Sequence, residues 1–212
     1  MISKEINTIK ELIIFLENEI ICDIFEYLKT GKFQIKINIL SFSYSEIQKI
    51  SDHGEYQSGT LFKYYKQIIE NYIIDCTKKL SSENNVNLID AFLFHTKNIN
   101  FLIYWIYKIF RYLDRFYVYT KTGTTLSGNA MNLYKTIFYE KFKNQIQNEI
   151  DNLKNAKNDN QESDAKIQSV MKILQDIKLN LPKIIKENNE IKWIEDPEKH
   201  YRFNKTFNKY KF

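Results

Sequence analysis

No glycine or proline interrupts residues 86–119, a stretch that would form a helix of about 50 Å at ~1.5 Å per residue. Proline removes a backbone donor and glycine adds chain entropy, so a run free of both and rich in Ile, Leu, Lys and aromatic residues favours a single long helix. The whole chain repeats the pattern, with five glycines and two prolines among 212 residues. Sheets joined by tight turns need more of these residues. The expected fold class is therefore all-α, a bundle of about five to seven helices with one long central helix and no sheet.

Spacing divides the chain. Ile9, Leu12, Ile13, Leu16, Ile20, Ile24 and Leu28 recur at three and four residues and predict a first helix stopped by Gly31. Residues 37–50, INILSFSYSEIQKI, fit both strand and helix periods and are assigned as helix. SDHGEYQSGT (51–60) reads as a loop in which Thr60 could cap a third helix carrying Leu61, Tyr65, Ile68, Tyr72, Ile73, Cys76 and Leu80. TKTGTTLSGNA (120–130) reads as a second loop with both glycines usable as turn residues. A fifth helix is then expected from near Met131, with Leu133, Tyr134, Ile137, Phe138, Phe142 and Ile146 inward. Ile167, Val170, Met171, Leu174 and Ile177 outline a sixth helical face before Pro182, after the polar stretch 152–166.

IYWIYKIFRYLDRFYV, residues 103–118, holds seven aromatic rings and four charges. Leu102, Ile106, Ile109, Leu113 and Phe116 form one row and Phe101, Trp105 and Tyr112 an adjacent one. Lys108, Arg111 and Arg115 make a narrow charged strip with Asp114 beside them. Such a helix is expected to be packed on several sides, with Trp105, Ile106, Ile109 and Leu113 buried. Lys108 stops the most apolar stretch far short of the ~20 residues a membrane span needs.

The net charge of +5 is compatible with nucleic acid without demanding it. Cys22 and Cys76 sit far apart in apolar patterns and read as core thiols, and the N-terminus lacks the features of a secretion signal, so an intracellular, cytoplasmic or nuclear protein is expected. The sequence contains no phosphate loop, HExxH, GxSxG, EF-hand or zinc spacing, and its three histidines, at 53, 95 and 200, are isolated. The expectation is a chain with no catalytic residue, metal or cofactor. The basic aromatic stretch from Lys199 to Phe212 supports an alternative, a helical-repeat protein that binds nucleic acid through basic helix faces.

INFLIYWIYKIFRYLDRFYV resembles the fourth helix of the first cullin repeat, in which an apolar stretch leads into an ending like YLDRYFI or YLNRHWV. GTLFKYYKQIIENYIIDCTKKL is similar to the third helix of that repeat, with its LYxxLxxFLxxYL pattern, and NLYKTIFYEKFKNQIQNEI to the fifth. The order and spacing of the three agree, and the resemblance covers residues 40–150 best.

What this resemblance implies is a non-catalytic scaffold domain for ubiquitin ligases and ubiquitin-dependent protein catabolism, whose first repeat binds a substrate-receptor adaptor of the Skp or BTB type through its second and fifth helices. By analogy with the LYxxVYxxC pattern of the second helix, Tyr44, Ile47 and Gln48 are the expected adaptor-binding residues there, with Ser43 in place of an apolar residue and Gln48 in place of a tyrosine. On the fifth helix they are Lys135 and Tyr139. The two helices are expected side by side. The resemblance further implies that residues 1–198 form a first repeat and 199–212 begin a following helix. No RING subunit is expected on this chain alone, and no membrane.

Overall fold

The structure, a computed structural model, describes residues 6–31, 36–82, 87–155, 161–179, 184–187 and 190–193. Helix α1 (Ile9–Leu16) starts at Thr8, whose hydroxyl accepts the Glu11 N–H at 3.2 Å while the Glu11 carboxylate accepts the Thr8 N–H at 3.1 Å. This reciprocal cap satisfies two orphan donors. A π-turn at Glu17–Ile21 leads into α2 (Cys22–Thr30), which ends at Gly31 in the left-handed region, φ 72°. That conformation is one glycine adopts without strain.

The π-turn explains the spacing of the buried row Leu12, Leu16, Ile20 and Ile24. Each step of four overshoots an α-helical turn by about 40°, so an unbroken series of fours would spiral off the core. One wide turn returns the row to its neighbours. It also leaves Cys22 exposed, its Sγ donating to the Asn18 carbonyl at 2.8 Å, which corrects the expectation of two core thiols; only Cys76 is buried.

Helix α3 (Ile37–Ser51) settles the ambiguous segment, and α4 (Glu55–Ser82) follows after three residues. The loop expected over 51–60 is thus mostly helix. Thr60 lies inside α4, donating to the Tyr56 carbonyl at 3.0 Å instead of capping. The small residues there serve packing. Buried Ser58 donates to the Ser51 carbonyl at 3.3 Å, and a Cβ on Gly59 would stand 2.9 Å from the Tyr117 hydroxyl.

Helix α5 (Leu88–Leu113) is capped by Asn87, whose side chain accepts the Ile89 and Asp90 N–H groups. It stays α-helical through Asn98 and Asn100, and continues through a π-turn at Asp114–Val118 into α6 (Tyr119–Thr122). The long central helix is therefore present over 88–122. Ile106, Ile109 and Leu113 are fully buried, but Trp105 is half-buried and Phe116 is 63% exposed. Both depart from expectation. The π-turn inserts a residue after Leu113, so Asp114 and Val118 take the inward places and Phe116 swings out.

Thr125 caps α7 (Leu126–Tyr134), which begins five residues before Met131 and passes through a third π-turn, Lys135–Tyr139, into α8 (Glu140–Asn155). Gly123, at φ 68°, makes the turn. Gly128 does not; it sits inside α7, where a Cβ would collide with the Thr124 hydroxyl. Helix α9 (Gln161–Leu179) buries Val170 and Leu174 and leaves Met171 47% exposed, again outside the expected face. Beyond the all-α bundle, β1 (Ile184–Glu187) pairs antiparallel with β2 (Glu190–Trp193), Ile184 opposite Trp193. This corrects the expectation of no sheet, and follows from the β-branched and aromatic content of the two stretches. Residues 199–212 lie outside the described residues.

Helices α4 and α5 form the centre. Helix α3 packs on α5, α4 and α1, while α7 packs on α4 and α5, α8 on α5, and α9 on α5 and α8. Among the described residues no helix is long and apolar enough to cross a membrane.

Candidate functional surface

The start of the fifth helix is fixed by a buried junction. The Leu126 N–H donates to the Asp114 carboxylate at 2.6 Å, and the Tyr65 hydroxyl donates to the Leu126 carbonyl at 2.8 Å. One residue, through the peptide groups on its two sides, is thus held by α4 and by the π-turn after α5. Burial raises the Asp114 carboxyl from 3.8 to about 6, opposed by the Leu126 N–H and by the nearby Arg115. Burial, with the Asp114 charge next, also pushes the Tyr65 hydroxyl well above its ordinary value. Asp114 therefore belongs to the interior and not to the surface strip on which the sequence places it.

From this junction the fifth helix runs down the α4/α5 pair. Leu126, Ala130, Tyr134, Phe138, Phe142, Ile146 and Ile150 are all buried, each four residues from the last. Six such steps would turn the row by about 240° on an unbroken α-helix. The π-turn removes a large part of that drift, and Lys135 and Tyr139 are its first and last residues. Both are half-buried, outward of Tyr134 and Phe138. Tyr134 and Phe138 stack at 5.2 Å, and the Tyr134 hydroxyl lies 2.6 Å from Thr96 Oγ1.

On α3, Tyr44 is half-buried and Gln48 exposed, but Ile47 is 0% exposed. Ile47 is consequently a core residue and is removed from the candidate surface. It falls between Ser43 and Ile50, two further inward positions of the helix, and Ser43 is itself buried, its hydroxyl donating to the Ile39 carbonyl at 2.7 Å. The two halves of the expected surface are not brought together by broad contact between α3 and the Lys135–Tyr139 turn; they connect through α4 and α5.

Tyr44 instead meets the end of the central helix. Its ring lies edge-on to Tyr112 at 6.4 Å, and Tyr112 lies 4.6 Å from Phe116. The Tyr112 hydroxyl donates to the Asp52 carboxylate at the end of α3, and that bond is the main cause raising its pKa. Tyr112, held in turn by Asp52 and Phe116, is thus a surface partner of Tyr44 that sequence reasoning missed. The available signal was the four-residue spacing of Tyr112 and Phe116 beside the cationic strip.

The gap lined by Tyr72, Ile73, Cys76, His95, Ile99, Tyr134 and Phe138 is too small for a ligand. Among the described residues no group of three or more His, Cys, Asp or Glu is placed to hold a metal ion. The geometry is that of a helical framework with partly exposed aromatic side chains. A family model, the cullin alpha solenoid domain, matches residues 23–209. No curated protein matches the chain.

Proposed function

Because this chain belongs to the cullin family through its alpha solenoid domain, we propose that it is a non-catalytic scaffold of ubiquitin ligase assembly, docking a substrate-receptor adaptor of the Skp or BTB type. The family match over 23–209, spanning α2 to α9, carries this reading. The adaptor would meet Tyr44 and Gln48 on α3 and Lys135 and Tyr139 on the fifth helix. Half-buried aromatic residues in a polar rim are the composition of an interface anchor. The π-turn supports the choice of Lys135 and Tyr139, since a widened turn sets side chains off the regular helical positions and such turns recur at functional sites. The working place of such a scaffold is the cytoplasm or nucleus.

The test is a titration of the purified chain against one Skp-type and one BTB-type adaptor, by calorimetry, with Tyr44→Ala and Tyr139→Ala variants beside the parent. Saturable binding of one adaptor, weakened by both substitutions with helical content intact, is the expected result. The absence of binding to either adaptor would overturn it.

A further inference from the structure

The outer face of α5 and its π-turn carries a feature that the adaptor reading does not use. Phe101, Tyr104, Trp105, Lys108, Arg111, Tyr112, Arg115 and Phe116 lie on one side of the helix, opposite the buried Ile103, Ile106, Phe110 and Leu113. From Tyr104 to Phe116 this face runs about 18 Å at ~1.5 Å per residue. Lys108, Arg111, Arg115 and Phe116 are exposed. Lys108 lies 4.3 Å from the Tyr104 ring centre and 4.7 Å from that of Trp105, and none of the three cations makes a salt bridge among the described residues.

We propose that this face is a docking surface for an acidic protein segment, with Trp105, Tyr112 and Phe116 as apolar contacts and Lys108, Arg111 and Arg115 paired to its carboxylates. Charge complementarity selects the occupant: three exposed cations, none in a salt bridge among the described residues and interleaved with rings, match glutamate and aspartate placed among apolar residues. A second copy of the face would bring like charges together. The terminal stretch 199–212 has five Lys or Arg and no carboxylate, so it too is repelled. Nucleic acid is disfavoured by the rings, because base stacking needs open ring faces. Lys108 lies over Tyr104 and Trp105, and the Tyr112 ring packs against Tyr44 and Phe116. The surface requires neither Gln48 nor the Lys135–Tyr139 turn, and it adjoins the proposed adaptor surface through the Tyr44–Tyr112 contact.

The test is selection of a displayed library of random 16-residue peptides on the intact chain, followed by affinity measurements with the enriched peptides and with the oligonucleotide dT20. The parent is compared with three variants: Lys108→Glu/Arg111→Glu/Arg115→Glu, Phe116→Ser, and a control, Lys78→Glu/Lys79→Glu/Lys172→Glu, which makes the same change in net charge elsewhere. All altered residues are exposed, and circular dichroism checks the fold. Expected are enriched peptides that combine acidic and apolar residues. Their Kd should rise tenfold or more in the α5 charge reversal, about threefold in Phe116→Ser, and little in the control. Failure to enrich acidic peptides, equal loss in the control, or insensitivity to both α5 variants would overturn the proposal. So would dT20 binding tighter than any enriched peptide and vanishing with the α5 charge reversal.

Discussion

Asp114 and Leu126 are joined by a 2.6 Å hydrogen bond from the backbone N–H of the first residue of α7 to a carboxylate on the π-turn that extends the central helix. The bond sets where the fifth helix begins. It also places an ionisable group in the interior at 4% exposure, with burial holding its pKa near 6 against the ordinary 3.8.

A raised carboxyl pKa has a definite consequence for pH. The folded chain keeps the proton that the unfolded chain releases, so this contribution to stability is fully present below pH 3.8 and is lost as pH rises through about 6. A shift of about two units corresponds to roughly 3 kcal/mol. Asp114→Asn keeps an acceptor for the Leu126 N–H without the charge, and asparagine is the residue at this place in the YLNRHWV-like ending. Denaturant titrations of both proteins from pH 3.5 to 8 should give curves that diverge across pH 4–6, the asparagine variant being the more stable at neutral pH. Parallel curves would show that Asp114 does not titrate as a buried acid. Asp114→Ala, which leaves the Leu126 donor unmet, should cost ~1–3 kcal/mol at acid pH.

The central helix offers a contrast between two residues seven apart, which an unbroken α-helix would place on one face. Ile109→Ala should cost ~2–5 kcal/mol through lost transfer energy and a residual cavity, because Ile109 is fully buried. Phe116→Ser, at a residue 63% exposed, should stay within ~0.5 kcal/mol of the parent. Equal denaturation midpoints for the two variants would remove the π-turn register on which this contrast depends.

Deleting single residues tests the wide turn of the fifth helix. Removing exposed Thr136 converts the π-turn to α and leaves Phe138 and the row beyond it facing the core, so the loss should be small, ~1 kcal/mol or less. Removing exposed Gln145 from α8 rotates Ile146 and Ile150 by about 100° out of their packing, at ~2–5 kcal/mol for each lost side chain. Thermal melts of the two deletions should therefore differ widely. The Thr136 deletion should nevertheless weaken adaptor binding, because it changes the spacing of Lys135 and Tyr139.

The fold was legible wherever breakers were scarce. The uninterrupted stretch 86–119 announced the central helix, and Gly31 marked a stop that proved real. Glycines and serines misled where they answer to packing. Gly59 and Gly128 sit in helices because a larger side chain would meet Tyr117 or Thr124, contacts that local composition does not reveal. Leu126 and Ala130 already continued the four-residue row of Tyr134 and Phe138, and that spacing would have moved the helix start back from Met131. The site was less legible. Side chains on a helix are sorted inward or outward by register, and three π-turns shift the register of a chain read at 3.6 residues per turn. Ile47 shows a different limit: the resemblance put it on the binding surface, whereas packing of α3 on both α4 and α5 buries it.

That difference makes the proposed adaptor surface separable from the core. Tyr44→Ala and Tyr139→Ala should each weaken adaptor binding by ~1–4 kcal/mol, as truncation of a central anchor does, with the denaturation midpoint nearly that of the parent. Ile47→Ala should do the opposite, lowering stability by ~2–5 kcal/mol while the folded fraction binds like the parent. Reversing the charges of Lys205 and Lys209 should leave adaptor affinity nearly unchanged, whereas a protein that reads nucleic acid through those lysines would lose nucleic-acid affinity on the reversal and, in the parent, as salt rises. Calorimetric titrations at two salt concentrations, each paired with a denaturation curve, separate these cases. A Tyr44 variant that binds as tightly as the parent while the Ile47 variant binds more weakly at equal folded concentration would reverse the assignment and return Ile47 to the interface.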